Sequence, residues 1–474
     1  MVGLEEGEIK KSSLAVNTLT MWEALSQGLG TNGPAAVTAL FFVGLAGLIG
    51  GSLPFVLVLS FFIYLGMTLI TYEWSREVSS AYSWAAYHKR GFKKFGSFFS
   101  FFGGLGYWYY YLLGYTGFAM LGLSSFLYEL FPSIGYHYPW LWIPLTIILI
   151  GETTFLAYMG IKISMRYVLY TGLAEITFLI ITSIYLIIYA GPRNSILPFT
   201  SIPIKNNLTT LFVAMMLGIA TFGGLNSVVP VAEETKNPKK NVPLALAILA
   251  FILGFTLILS SYAQTIIFGV NNMFNYANYP DPGIIIYEKY LGGIITALYI
   301  IFIVNSFNSS GVSFGTSAIR TAYGFARDGI LFPKSFTKIN RHKVPGNIVL
   351  FNGGLSLVIA LVAGILMGPF TASIFLILSN TVFSFFNHSL AGIELGVYHK
   401  RKGSLNIIKH IVVPYLTSFM LIIAIIYVVY PAPPPPLNYS AWIAGIYAIL
   451  LIMLYVYYKR KFPDKINSVG DFSI

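Results

Sequence analysis

Residues able to do chemistry are few in this chain, and most lie in two short glycine-rich stretches. SQGLGTNGPAA, Ser26 to Ala36, places Gly28, Gly30, Asn32, Gly33 and Pro34 inside a long apolar run. IATFGGLNSVVP, Ile219 to Pro230, repeats the mixture with Gly223, Gly224, Asn226 and Pro230. Proline lacks an N–H and glycine tolerates non-helical dihedrals, so each stretch should interrupt a helix. An interruption in apolar surroundings leaves backbone groups unpaired. Half-helix N-termini then attract a carboxylate, while freed carbonyls and C-termini attract an ammonium or a cation. A zwitterion with both charges, such as an amino acid, fits such a pair. The competing reading is packing, because small residues also let membrane helices approach closely.

Other ionisable groups in apolar runs are Glu152, Glu175, Arg320 and His388. A charge near a bilayer centre costs ~3 kcal/mol or more, so these residues should face the protein interior, paired, protonated or functional. His388 reads as a packed, satisfied histidine. Ser313, Thr316 and Ser317 share one helical face. Their hydroxyls can complete a sodium site or simply glue helices together. The aromatic run YWYYYLLGY, Tyr107 to Tyr115, repeats tyrosine at intervals of four and can present one or two hydroxyls to a cavity. Cysteine is absent, which removes disulfides, thiol metal ligands and a thiolate nucleophile. HExxH, Gly-x-Ser-x-Gly and Walker-type patterns are missing as well, so no catalytic residue, metal or cofactor is assigned.

The elements carrying these residues follow from hydropathy. The chain has 474 residues, 56% of them hydrophobic and only 10% charged. Apolar runs long enough to span a bilayer recur from end to end. Twelve segments are expected at roughly 20–47, 53–75, 96–128, 139–160, 163–190, 207–230, 240–268, 290–325, 346–367, 371–398, 410–430 and 440–459. The first lacks a signal-peptide pattern and should remain as a span. With the N-terminus inside, 26 of the 29 lysines and arginines fall on the cytoplasmic side, leaving Arg193, Lys205 and Lys289 outside. This asymmetry places both termini in the cytoplasm of a multi-pass cell-membrane protein. The net charge of +12 is therefore an orientation signal with some affinity for anionic lipid, not a nucleic-acid footprint. The interrupted segments 1 and 6 open two successive blocks of five, which favours binding over packing.

Four stretches carry a family resemblance. AEETKNPKKNVPLAL closely resembles the end of helix 6 and the following loop in amino acid–polyamine–organocation permeases. MWEALSQGLG, MGIKIS and AIRTAYGFARDGILFPKSFTKIN resemble the start of their helix 1, their helix 4–5 turn and the end of their helix 8. The resemblance implies an all-α polytopic fold, with a five-plus-five inverted repeat like that of the sodium-leucine symporter and two added helices. The boundaries are a cytoplasmic tail 1–19, repeats 20–190 and 207–398, helices 11 and 12 over 410–459, and a tail 460–474. It also implies secondary transport of amino acids or related amines by alternating access.

Carried over by resemblance, Thr31, Asn32, Gly33, Pro34 and Ala35 form the carboxylate-binding turn. Ala220, Thr221, Phe222, Gly223 and Gly224 form the turn for the amino group, with Asn226 where the family often has an acid. That departure favours neutral amino acids. Glu233 and Glu234, with Arg320, fall at the inner gate. Glu175 aligns with a position where many relatives have lysine; a carboxyl there can carry a proton, coordinate a cation, or cap the backbone of helix 1. Proton or sodium coupling is expected. The alternative is an exchanger without ion coupling, and a channel or transporter-like sensor fits less well. A monomer or homodimer would suffice.

Overall fold

The computed structural model describes residues 14–122, 126–279, 281–430 and 433–472. Its helices run in order as α1 Met21–Asn32, α2 Pro34–Ile49, α3 Leu53–Glu77, α4 Trp84–Gly91, α5 Gly96–Met120 and α6 Phe126–Leu130. They continue as α7 Pro132–His137, α8 Trp142–Tyr158, α9 Ile161–Ala190, α10 Leu208–Gly218, α11 Pro238–Phe268 and α12 Pro282–Leu291. The last six are α13 Gly293–Arg327, α14 Gly346–Met367, α15 Pro369–Lys402, α16 Val413–Val429, α17 Tyr439–Lys461 and α18 Pro463–Ser468. An isolated bridge between Leu19 and Thr235 is the extended pairing found among the described residues.

Nine helical segments of the described residues are long and apolar enough to cross a membrane, so the chain is a polytopic membrane protein. The first, Met21–Glu77, turns back at Gly50–Ser52 and makes two crossings. The 25-residue α5 and the shorter apolar α8 add to these segments. Segment 3 was expected to run to residue 128; α5 stops at Met120, and residues 123–125 of that segment lie outside the described ones. Segment 8 is long as expected, α13 having 35 residues.

Both expected interruptions occur, in different forms. Helix α1 begins with a capping box, in which the Thr20 and Glu23 side chains satisfy each other's backbone N–H groups. The break that follows α1 is narrower than the sequence suggests. It is confined to Gly33, at φ 61°, and Pro34 then opens α2 at a position where its missing N–H costs nothing. The second interruption is wide. After α10 the chain tightens into 3-10 turns at Ile219–Phe222 and Leu225–Glu234, separated by Gly223 and Gly224. So long a 3-10 stretch marks strain or a hinge within a helix.

These broken elements pack against α3, α9, α11 and α13. Helix α17 buries only Ser440, Ala444 and Leu451 and stays peripheral. Helix α4 was not anticipated. Its residues WAAYHKRG mix aromatic and basic types without an apolar run, yet six of the eight are buried.

Candidate substrate site

The two interruptions meet. Asn32 Nδ2 donates to the Thr221 carbonyl at 3.1 Å and to the Gly223 carbonyl at 2.9 Å. Gly224, at φ 117°, lies so close to α1 that a Cβ would stand 2.8 Å from the Asn32 nitrogen. Only glycine allows both the backbone angle and that approach.

A cavity of about 380 Å³ opens beside this junction. Thr31, Asn32, Ala220, Gly223, Gly224 and Asn226 line it, as does Phe314 of α13. Gly33, Pro34, Ala35, Thr221 and Phe222 are not in its wall. Phe222 turns instead to α3, with its ring 5.3 Å from Phe61 and 5.5 Å from Tyr64. No lysine, arginine, aspartate or glutamate borders the cavity among the described residues.

Glu175, buried on α9, sits at the first break. Its Oε1 accepts the Ala35 N–H at 2.6 Å and the Ser306 hydroxyl at 2.7 Å. The carboxyl thus caps the N-terminus of α2, which has no capping side chain of its own. The α13 hydroxyls that reach the break are Ser306 and Ser310, the latter donating to the Gly30 carbonyl at 2.8 Å. Ser313, Thr316 and Ser317 lie further along α13, outside the cavity wall. Ser313 Oγ and Thr316 Oγ1 are buried without a partner, and Ser317 Oγ accepts from Gln27 at 2.8 Å.

At the far end of the second break, Glu234 is held by Arg320 through Nε at 3.0 Å and Nη2 at 3.2 Å. Neighbouring Glu233 is held by Arg327 at 2.9 and 3.1 Å and accepts the Ala81 N–H at 2.7 Å. Arg327 was missed as a partner, although its spacing of seven from Arg320 puts both on one face of α13. The N-terminal segment joins this cluster, since Thr18 and Leu19 donate to the Glu234 carbonyl at 2.9 Å.

His388 is buried and hydrogen-bonded, as the sequence suggests, with Nδ1 2.9 Å from the Ser384 carbonyl. It lines the cavity, and its Nδ1 lies 3.1 Å from the Tyr107 hydroxyl, which accepts from Asn226 Nδ2 at 2.7 Å. Tyr110 reaches the cavity, Tyr111 donates to the Asn226 carbonyl at 3.3 Å, and Tyr115 turns away to Thr153 and Thr154. Glu152, expected inside, is exposed on α8 with Asn308 Nδ2 at 3.3 Å.

Among the described residues, one group of metal-ligand type converges elsewhere: Glu73, His399 and His410, with ligand atoms within 4.8 Å of one another. His410 Nδ1 accepts the Asn406 N–H at 3.0 Å, so Nε2 is its protonated nitrogen and offers no lone pair. The His399 and His410 rings stack at 3.6 Å. This is the geometry of a packed histidine pair.

The amino acid permease family profile matches residues 19–455. An uncharacterized amino-acid permease of Schizosaccharomyces pombe is 30% identical over an alignment covering 36% of this chain and 34% of the relative. The chain thus matches about a third of that relative's length. The family match covers both breaks, the cavity beside their junction and the acidic pair held by Arg320 and Arg327, and the chain belongs to the amino acid permease family.

Proposed function

We propose that this permease carries neutral amino acids across the cell membrane by alternating access, with two five-helix repeats, 20–190 and 207–398, moving about the junction of the breaks. The observation that carries the reading is the cavity at that junction, bordered by backbone from both interruptions and by no charged side chain among the described residues. A zwitterion's carboxylate and ammonium are matched by half-helix ends and freed carbonyls. A side chain with its own charge would find no counter-ion there, and an unpaired buried charge is costly. Lysines and arginines concentrate at the end holding Glu233 and Glu234, which supports a cytoplasmic assignment for that end and for both termini. The cavity then faces outward, with the inner gate shut.

In this reading Glu175 is the coupling group, carrying a proton or helping to hold a cation beside α2 and the α13 hydroxyls, Ser313, Thr316 and Ser317 included. A second reading rests on one observation. Glu175 Oε1 is already engaged by Ala35 and Ser306, as a purely structural cap would be. The protein is then an exchanger without ion coupling.

Uptake of a radiolabelled amino acid panel into proteoliposomes, under imposed proton or sodium gradients, tests both. Gradient-driven uptake of neutral substrates that disappears in Glu175→Gln supports coupling at Glu175. Uptake that needs only internal substrate and survives the substitution supports the exchanger. No uptake of any amino acid or amine under any gradient defeats the transport reading.

A further inference from the structure

Helix α4 joins the gate to the cavity through three contacts. The loop before it supplies the Ala81 N–H to Glu233 at 2.7 Å. Trp84, its first residue, stacks on Tyr107 at 4.8 Å between ring centroids and packs on His388 at 4.4 Å. One turn later His88, with no exposure, is held between two residues of α15. Its Nδ1 is 2.6 Å from Glu394 Oε2, and its Nε2 is 2.7 Å from Asn387 Oδ1.

The hydrogen-bond pattern fixes how many protons this group holds. Asn387 Nδ2 donates to the Phe383 carbonyl at 2.7 Å, which turns Oδ1 towards the ring. His88 Nε2 must therefore carry a proton. Across the 2.6 Å between Nδ1 and Glu394, two bare lone pairs would repel, so a second proton lies there, on one atom or the other. The pair is electrically neutral only with that second proton. Without it, a bare carboxylate remains in a fully buried site where Glu394 Oε1 already lacks a partner. That arrangement is strongly disfavoured. Arg401 of α15, a cation that reaches α4 beside Glu394, donates to the Gly91 carbonyl at 3.3 Å and the Arg90 carbonyl at 2.6 Å rather than to the carboxyl. The titratable groups facing the pair are His388 on α15 and Tyr107 on α5, both beyond Trp84. The part of α5 against the ring is Gly103, where a Cβ would stand 2.5 Å from His88 Cδ2. Lys89 and Arg90, also on α4, turn away to the Asn467, Gly470 and Asp471 carbonyls.

We propose that His88 and Glu394 form a proton-binding site of the transport cycle, whose bound proton holds α4 in place and so keeps the inner gate shut. They are positioning residues, acting on the gate through Ala81 and on the cavity wall through Trp84. Loss of the proton frees α4, withdraws the Ala81 N–H from Glu233 and favours opening. The site is separate from Glu175, and the proposal rests on the alternating-access reading only in requiring that the gate open.

The absence of cysteine makes the test direct. Ser227, with no exposure, lies between the cavity and the gate. A Ser227→Cys variant in proteoliposomes, without substrate, is labelled with N-ethylmaleimide at equal pH on both sides, from about pH 6 to about pH 8. Rates are normalised to Ser335→Cys in an exposed turn. The labelling rate should rise with pH, by up to about tenfold per unit, the limit for one proton. Adding Glu394→Gln, which copies the shape and hydrogen bonding of the proton-loaded pair, should leave labelling low and flat. A normalised Ser227→Cys profile flat in pH overturns the proposal, even if the glutamine variant does not fold. A profile retained in Glu394→Gln but lost in Glu175→Gln overturns it too and places the proton at Glu175. Since no substrate is used, failure of the substrate assignment leaves this readout intact.

Discussion

The side-chain amide of Asn32 bridges the two interrupted helices, its Nδ2 lying 3.1 Å from the Thr221 carbonyl and 2.9 Å from the Gly223 carbonyl. Both carbonyls belong to backbone with no regular helical partner, so the bridge satisfies groups that the break leaves open. Asn32 also lines the cavity, with Oδ1 buried and unpartnered. The residue thus joins the two breaks and, in the proposed function, keeps an acceptor for a ligand.

Substituting Asn32 should therefore loosen the junction without disturbing the surrounding helices. Asn32→Ala forfeits two hydrogen bonds, each worth about 1 kcal/mol net. Asn32→Asp keeps the volume but sets a carboxylate against two carbonyls, and should be the more damaging change. Thermal unfolding in detergent, with and without a neutral amino acid, reads this directly. Both variants should lose the ligand-induced rise in melting temperature. An unchanged ligand response in Asn32→Asp would remove this residue from the site.

The two ion pairs at the gate should differ in weight. Arg320 and Glu234 have side-chain exposures of 1% and 0%, whereas Arg327 keeps 10% and Glu233 has the Ala81 N–H as a second donor. Arg320→Ala strands a buried carboxylate and should cost about 3–5 kcal/mol. Arg327→Ala should cost distinctly less. Melting temperatures of the two variants, and of the corresponding Glu234→Gln and Glu233→Gln reversals, decide the order. Equal losses would show that burial does not set the energetics of this gate.

The breaks were legible in the sequence, because glycine, proline and asparagine inside an apolar run have few other uses, and so was the pairing of Glu234 with Arg320. What the sequence overstated was the width of the first break. Three glycines and a proline suggest a long unwound turn, yet only Gly33 leaves the helical region, and Gly28 and Gly30 serve close packing against α11 and α13. Helix α4 was invisible for a different reason. Its eight residues are too short and too polar to read as a span, and their burial depends on contacts with α5 and α15. The place of His388 in the cavity wall was equally hidden, since that wall is assembled from residues distant in sequence. Tertiary partners of this kind leave no local periodicity to detect.

Asp281 gives a prediction that depends on pH alone. It lies between the spans Pro238–Phe268 and Gly293–Arg327 and is 5% exposed. Its Oδ1 accepts the Ile284 N–H at 3.3 Å as the cap of α12, while Oδ2 is buried without a partner. Burial pushes this carboxyl from its ordinary 3.8 up to about 8, outweighing the backbone hydrogen bonds from Ile284 and Gly283 that act the other way. The folded chain therefore holds a proton that the unfolded chain has released. Stability from this group is fully present below about pH 4 and falls as pH rises towards about 8. Asp281→Asn retains the capping oxygen and abolishes the titration. Its melting temperature should match the wild type near pH 4 and exceed it progressively through neutrality, reflecting a stability difference on the order of a few kcal/mol at pH 8. Parallel profiles for the two proteins would mean that water or a counter-charge reaches Oδ2, and that the α12 cap is not the dry site its burial implies.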